Sequence, residues 1–267
     1  SGEVPIASPT PLQARPRPSS LGALRALVPI ITAEAAEVDH DGAFPAGSVA
    51  ALREAGLLAA PLATRLGGQG WGLEPDASHD TATALRLIGR ANLPLGRLFE
   101  GHVNALRLVQ RRGSPAALRL AAEEAHAGLL FGVWNTEAPG EASLILNKDG
   151  ALQGRKIFCS GAGHVARALV TARNASDLAA PPIMVLAPLG PEERADLSPW
   201  SAQGMRASAT GTVDFTGLVP GEARLIGDRP PPARLGPTSG ATTRLSASGA
   251  SRRTRIGRRG DRHYRRA

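Results

Sequence analysis

Apolar positions recur at helical spacing through the first half of the chain. Over residues 21–38, Leu24, Leu27, Ile31 and Ala35 fall three or four apart, which predicts a helix with one face in the core and a kink or late start at Pro29. Val49, Leu52, Leu57 and Leu58 continue the pattern over residues 44–58, with Pro45 suited to a first turn. The longest stretch, residues 76–111, carries Ala84, Leu87, Ile88, Ala91, Leu95, Leu98, Val103, Leu106 and Val109, and Pro94 predicts its division into two helices. Ser114 followed by Pro115 predicts a cap and first turn for another helix over residues 117–127.

The pattern changes near Gly128. A short apolar run holds Phe131, Val133 and Trp134, and helical spacing does not resume. Two strand-like stretches flank Asp149-Gly150, a turn dipeptide, and residues 166–173, 182–187, 211–215 and 223–226 supply four more strands. Six short strands with no helix between them predict a small antiparallel β-barrel or sandwich. The expected fold class is thus multidomain α+β: a flexible leader over 1–19, an all-helical domain over 20–128, a β domain over 129–229, and a disordered basic tail over 230–267.

Charge sharpens that division. The chain carries +8 overall, yet ten arginines against Asp261 lie beyond residue 229, and the first 229 residues carry −1. The tail has no periodicity and too few apolar residues to offset its ordering entropy. Three readings of it stay open: a basic arm for phosphate backbones or another acidic partner, a tail with no selected function, and an out-of-frame reading of a GC-rich gene. Nucleic acid is not the expected partner, because no patterned domain has a basic face.

Candidate chemistry is sparse. The six histidines show no metal-ligand spacing, Cys159 has no cysteine mate, and no metal site is expected. A lone thiol and the lack of any run of about 18 apolar residues point to a cytoplasmic chain with no membrane span. Gly67, Gly68, Gly70 and Gly72 make a glycine-rich connection. As a phosphate loop it lacks the Lys-Ser/Thr ending and a preceding strand, so a tight turn is the stronger reading. His102, with Glu100 and Asn104 nearby, suits a substrate pocket or a helix interface.

Several strings, in this order, resemble the acyl-CoA dehydrogenase family: FPAGSVAALREAGLLAAP from Phe44, GGQGWG from Gly67, TEAPG from Thr136, GRKIFCSGAG from Gly154 and GMRASATGTVDFTGLVP from Gly204. The resemblance covers about residues 20–229. It implies a flavoprotein oxidoreductase that binds FAD, desaturates an acyl thioester at the α,β bond, passes electrons to an acceptor and forms homo-oligomers. It places Phe131, Val133 and Thr136 on a strand facing the flavin. It also places Phe158 where the family has a tryptophan over the ring, and Ser160 where the family has a threonine hydroxyl. Gly140, Glu141 and Ala142 depart from the family's Gly-Ser-Asp, which puts an ordinary fatty acyl substrate in doubt, and the role of Arg206 stays open.

Desaturation needs a carboxylate to take the α-proton, and the family carries it in a carboxy-terminal helical domain with no counterpart here. Glu137 lies on the binding strand and does not fill that role. The expectation is therefore a truncated, catalytically silent dehydrogenase with impaired FAD binding and no catalytic residue of its own. Two alternatives stand beside it: a flavin-dependent monooxygenase on the same scaffold, and a non-enzymatic binding protein that uses the tail.

Overall fold

The computed structural model describes residues 20–190 and 194–227. The expectations of a flexible leader and of a disordered basic tail fall on residues outside the described ones.

Five helices come first: α1 (Ser20–Glu37), α2 (Ala46–Glu54), α3 (Ser78–Ala91), α4 (Leu93–Arg112) and α5 (Pro115–His126). α1 runs through Pro29 without a break. The long periodic stretch divides at Asn92, whose side chain accepts a hydrogen bond from Leu95 N at 3.0 Å and caps α4. Pro94 therefore sits in a first turn, where a missing N–H leaves no bond unmade. Ser114 caps α5 in the same way through Ala117 N at 3.1 Å.

The connection at 67–72 is a packed turn. The backbone N–H groups of Gly68, Gln69, Gly70 and Trp71 all donate to carbonyls of residues 60–63 at 2.7–3.2 Å, so none is left to cradle a phosphate. A Cβ at Gly68 would lie 2.0 Å from the Leu62 carbonyl oxygen, which explains why the chain needs glycine there.

The strands are β1 (Phe131–Trp134), β2 (Ile145–Leu146), β3 (Leu152–Gln153), β4 (Arg155–Cys159), β5 (Arg167–Asn174), β6 (Ile183–Pro188), β7 (Ala195–Asp196), β8 (Gly211–Asp214) and β9 (Leu225–Ile226). β5 and β6 pair antiparallel at the centre of the larger sheet, and β9 joins the far edge of β6. β1 and then β2 run parallel to β5 along its other edge, and β3 folds back on β2. β4, β8 and β7 form a second, antiparallel sheet.

This corrects the expected antiparallel barrel or sandwich standing apart from a helical domain. The larger sheet is mixed, and helices pack on it directly within one compact unit. Leu169, Leu186 and Phe131 cluster with Leu106, Val109, Ala121 and Ala125 of α4 and α5. Ala168, Val170, Val185 and Ala187, on the opposite face, cluster with Cys159, Val213 and Phe215 of the second sheet. A sheet buried on both faces shows consecutive apolar residues instead of alternation, so its sequence carries no mark of strand direction.

Candidate functional site

Two hydrogen bonds bring the end of β1 against β4. Ile157 N donates to Thr136 O at 2.8 Å in an isolated antiparallel bridge, and the Trp134 indole N–H donates to Ser160 O at 3.0 Å. The segments carrying Thr136, Phe158 and Ser160 are therefore adjacent.

A β-bulge sets the direction of Phe158. Lys156 pairs with Val213 and Cys159 with Gly211, so Ile157 and Phe158 together oppose the single residue Thr212. Phe158 takes up the extra residue in a left-handed conformation, φ 55°, and is 61 % exposed. For a bulky residue that backbone is strained by about 1–3 kcal/mol. An exposed ring recovers little of this strain by packing.

The hydroxyls around it have spare capacity. Thr136 is exposed, and no partner for its Oγ1 occurs among the described residues. Ser208 Oγ, buried, donates to Met205 O at 2.7 Å and lies 2.7 Å from Thr210 Oγ1, while Thr210 lies 3.4 Å from Ser160 Oγ. Thr210 Oγ1 is the donor in the contact with Ser160 Oγ. Ser160 Oγ accepts only this long contact and keeps its own proton. Gly161, on the same turn, approaches Leu98 of α4 so closely that a Cβ would lie 2.9 Å from the leucine Cδ2. Beyond it His164 stacks on Phe44 at 3.9 Å.

The remaining expected site residues lie deeper. Val133 is half-buried on β1, and Phe131 is fully buried. Phe131 N donates to His102 Nδ1 at 3.0 Å, and His102 Nε2 lies 2.7 Å from Leu58 O. Accepting at Nδ1 fixes the proton on Nε2, which donates to Leu58, so the ring is neutral. Burial pushes the His102 pKa down to about 4. His102 thus staples α4 to β1 and to the turn at Leu58, which settles its two readings in favour of an interface histidine.

Glu137 pairs with Lys156, whose side chain is wholly buried, and Thr171 Oγ1 lies 3.4 Å from the same ammonium. The pair flanks the Thr136–Ile157 bridge and clamps β1 to β4. Sequence reasoning missed Lys156, since a lysine in a strand normally faces water. It also missed the bulge, which nothing in the string Ile157-Phe158-Cys159 announces. Arg206 sits 3.7 Å from Asp41, and Glu141 pairs with Arg155. Among the described residues no group of three His, Cys, Asp or Glu could hold a metal, and no helix is long and apolar enough to cross a membrane.

No protein-family model matches the chain. It is 30% identical over 213 residues to L-evernosamine nitrososynthase of a Micromonospora species, covering 72% of this chain and 47% of that protein. Among solved structures, FMN-bound TdsC from Paenibacillus sp. A11-2 superposes with TM-score 0.65 at 26% identity, covering 78% of this chain and 53% of that one. The same enzyme is described elsewhere as a dibenzothiophene monooxygenase. KijD3, in complex with FMN and dTDP-3-amino-2,3,6-trideoxy-4-keto-3-methyl-D-glucose, superposes with TM-score 0.64 at 27% identity, covering 84% and 57%. The chain spans about half the length of the curated relative it matches.

These similarities correct the acyl-CoA dehydrogenase resemblance. The relatives are a nitrososynthase, a dibenzothiophene monooxygenase and an FMN-bound protein with an amino-sugar nucleotide, and the flavin in the TdsC and KijD3 structures is FMN where FAD was expected. The mixed α/β architecture is the one shared with these FMN-bound structures. The expected acyl thioester substrate gives way to nitrogen- and sulfur-bearing small molecules on the relatives' side. With desaturation set aside, the need for an α-proton base falls, and with it the expectation of a silent enzyme with impaired FAD binding.

Proposed function

We propose that this protein is an FMN-dependent monooxygenase-type oxidoreductase that acts on a small nitrogen- or sulfur-bearing molecule. The observation that carries the reading is its similarity, over 78–84% of its length, to structures holding FMN. The groups at the β1–β4 edge fit such a cofactor: a flat exposed ring at Phe158 and two hydroxyls with hydrogen bonds to give, at Thr136 and Ser160.

Reduced FMN supplies the two electrons needed to place one atom of dioxygen on a substrate and send the other to water. The protein's part is binding, orientation and water exclusion. Phe158 covers one apolar face and Thr136 and Ser160 hold the polar edge, while Val133 packs behind β1 with the α4 and α5 cluster. Phe131, out of contact in the core, anchors β1 through His102. Under this reading residues 20–128 brace the site and residues 129–229 carry its polar contacts. A reducing, cytoplasmic setting suits the unpaired thiol of Cys159 and a reduced flavin.

Titration of the purified protein with FMN and with FAD, followed by flavin fluorescence, tests this. FMN is expected to be quenched at lower protein concentration than FAD. Phe158→Ala and Ser160→Ala should each weaken FMN binding about 5- to 30-fold, the size of one lost ring or hydrogen-bond contact of about 1–2 kcal/mol. Unchanged FMN fluorescence, or tighter binding of FAD, overturns the proposal.

A further inference from the structure

A cavity of about 480 Å³ opens between the start of α3 and the second half of α4. Leu73 and Leu85 give it an apolar lining, and Arg107 and Arg111, one turn apart on α4, a cationic one. Thr81, also in the lining, fastens the loop before α3 to the helix: its hydroxyl accepts from Gly72 N at 2.9 Å and donates to Ala77 O at 2.7 Å. Arg107 is half-buried and Arg111 exposed. Like charges four residues apart on a helix repel each other, and among the described residues no carboxylate or other acceptor answers either guanidinium. The acid in the lining, Glu74, turns its Oε1 to Thr64, accepting from the backbone N at 2.8 Å and from the hydroxyl at 3.1 Å.

We infer that this cavity binds a small organic monocarboxylate with an apolar body, at a site separate from that of the flavin. A guanidinium presents parallel N–H donors that match the two oxygens of a carboxylate. Two arginines and one glutamate leave a single positive charge in the lining, which a monocarboxylate neutralises and a phosphate dianion exceeds. The apolar remainder of the ligand covers Leu73 and Leu85, surface that an inorganic anion leaves in water. The cavity lies well away from the Thr136–Ile157 bridge. α4 meets the turn after Ser160 at Leu98, and Arg107 and Arg111 stand further along the same helix, about 14 and 20 Å away at a rise of about 1.5 Å per residue. The site thus stands whether or not FMN binds beside that bridge.

Calorimetric titration of the full chain at fixed ionic strength tests this, with benzoate, benzamide and inorganic phosphate as probes. Benzoate should bind more tightly than either of the others, since benzamide lacks the charge and phosphate lacks the ring. Arg111→Gln should weaken benzoate on the order of 10- to 100-fold, the effect of losing a hydrogen bond to a charged group, and leave FMN affinity unchanged. Arg107→Gln should act alike and supplies a second variant, with thermal melting to show that each folds. Benzamide or phosphate binding as tightly as benzoate, or wild-type benzoate affinity in either folded variant, overturns the assignment. A parallel loss of FMN affinity in both variants also overturns it, because the cavity would then be part of the flavin site. Absence of FMN binding, with benzoate and both variants behaving as expected, counts against the proposed function alone.

Discussion

Replacing His102 by leucine tests how α4 is held to β1. In the wild type the ring accepts from Phe131 N and donates to Leu58 O, between Phe99 and Phe131 at 6.0 and 5.6 Å. Leucine fills most of the space but leaves one backbone donor and one carbonyl buried without partners. At about 1–3 kcal/mol each, offset in part by a better apolar fit, the variant should lose about 2–4 kcal/mol at neutral pH. The pH dependence is the sharper signature. Burial holds the folded His102 pKa at about 4 against 6.5 for an ordinary histidine. Between those values only the unfolded chain binds the proton. The wild type therefore keeps this contribution in full above about pH 6.5 and loses about 1.4 kcal/mol per pH unit as the pH falls, about 3 kcal/mol in all near pH 4. His102→Leu has no such group, so its stability deficit should shrink steadily through that window. Urea unfolding of both proteins at several pH values measures it. A deficit that stays constant, or grows as the pH drops, refutes the neutral staple.

Three further outcomes follow from the site. Phe158→Gly should raise stability by about 1 kcal/mol by relieving the left-handed backbone, while weakening FMN binding; a loss of stability in urea unfolding would show that the ring is held by packing. Glu137→Ala strands the buried Lys156 ammonium and should cost about 3–5 kcal/mol, whereas Glu137→Ala with Lys156→Met should recover most of it, as read from unfolding midpoints. Cys159, buried, has its thiol pushed up to about 12, so it should resist a thiol reagent at about pH 8 in the native protein and react at once in denaturant; fast native labelling would contradict the burial.

The local signals in the sequence were strong where chemistry is local. Asn92 and Ser114 can satisfy orphan N–H groups three residues on, so helix starts were legible from the chain, although the sequence pointed to Pro94 as the divider and the structure uses Asn92. Thr136, Phe158 and Ser160 were singled out by resemblance to a family that the comparisons replace, and the structure joins their segments through the Thr136–Ile157 bridge and the Trp134–Ser160 hydrogen bond. What brings them together could not be read from the string. A bulge is a mismatch between two strands and exists only once Lys156 has met Val213 and Cys159 has met Gly211.

Helix periodicity, caps and the change of character near Gly128 were thus determined by the sequence alone, because each depends on residues within a turn or two of one another. Strand direction, the burial of Lys156, the neutral tautomer of His102 and the outward turn of Phe158 were decided by the tertiary structure. Each of these depends on a partner at least 15 residues away in the chain, and a sheet covered on both faces erases the alternation that would have announced it.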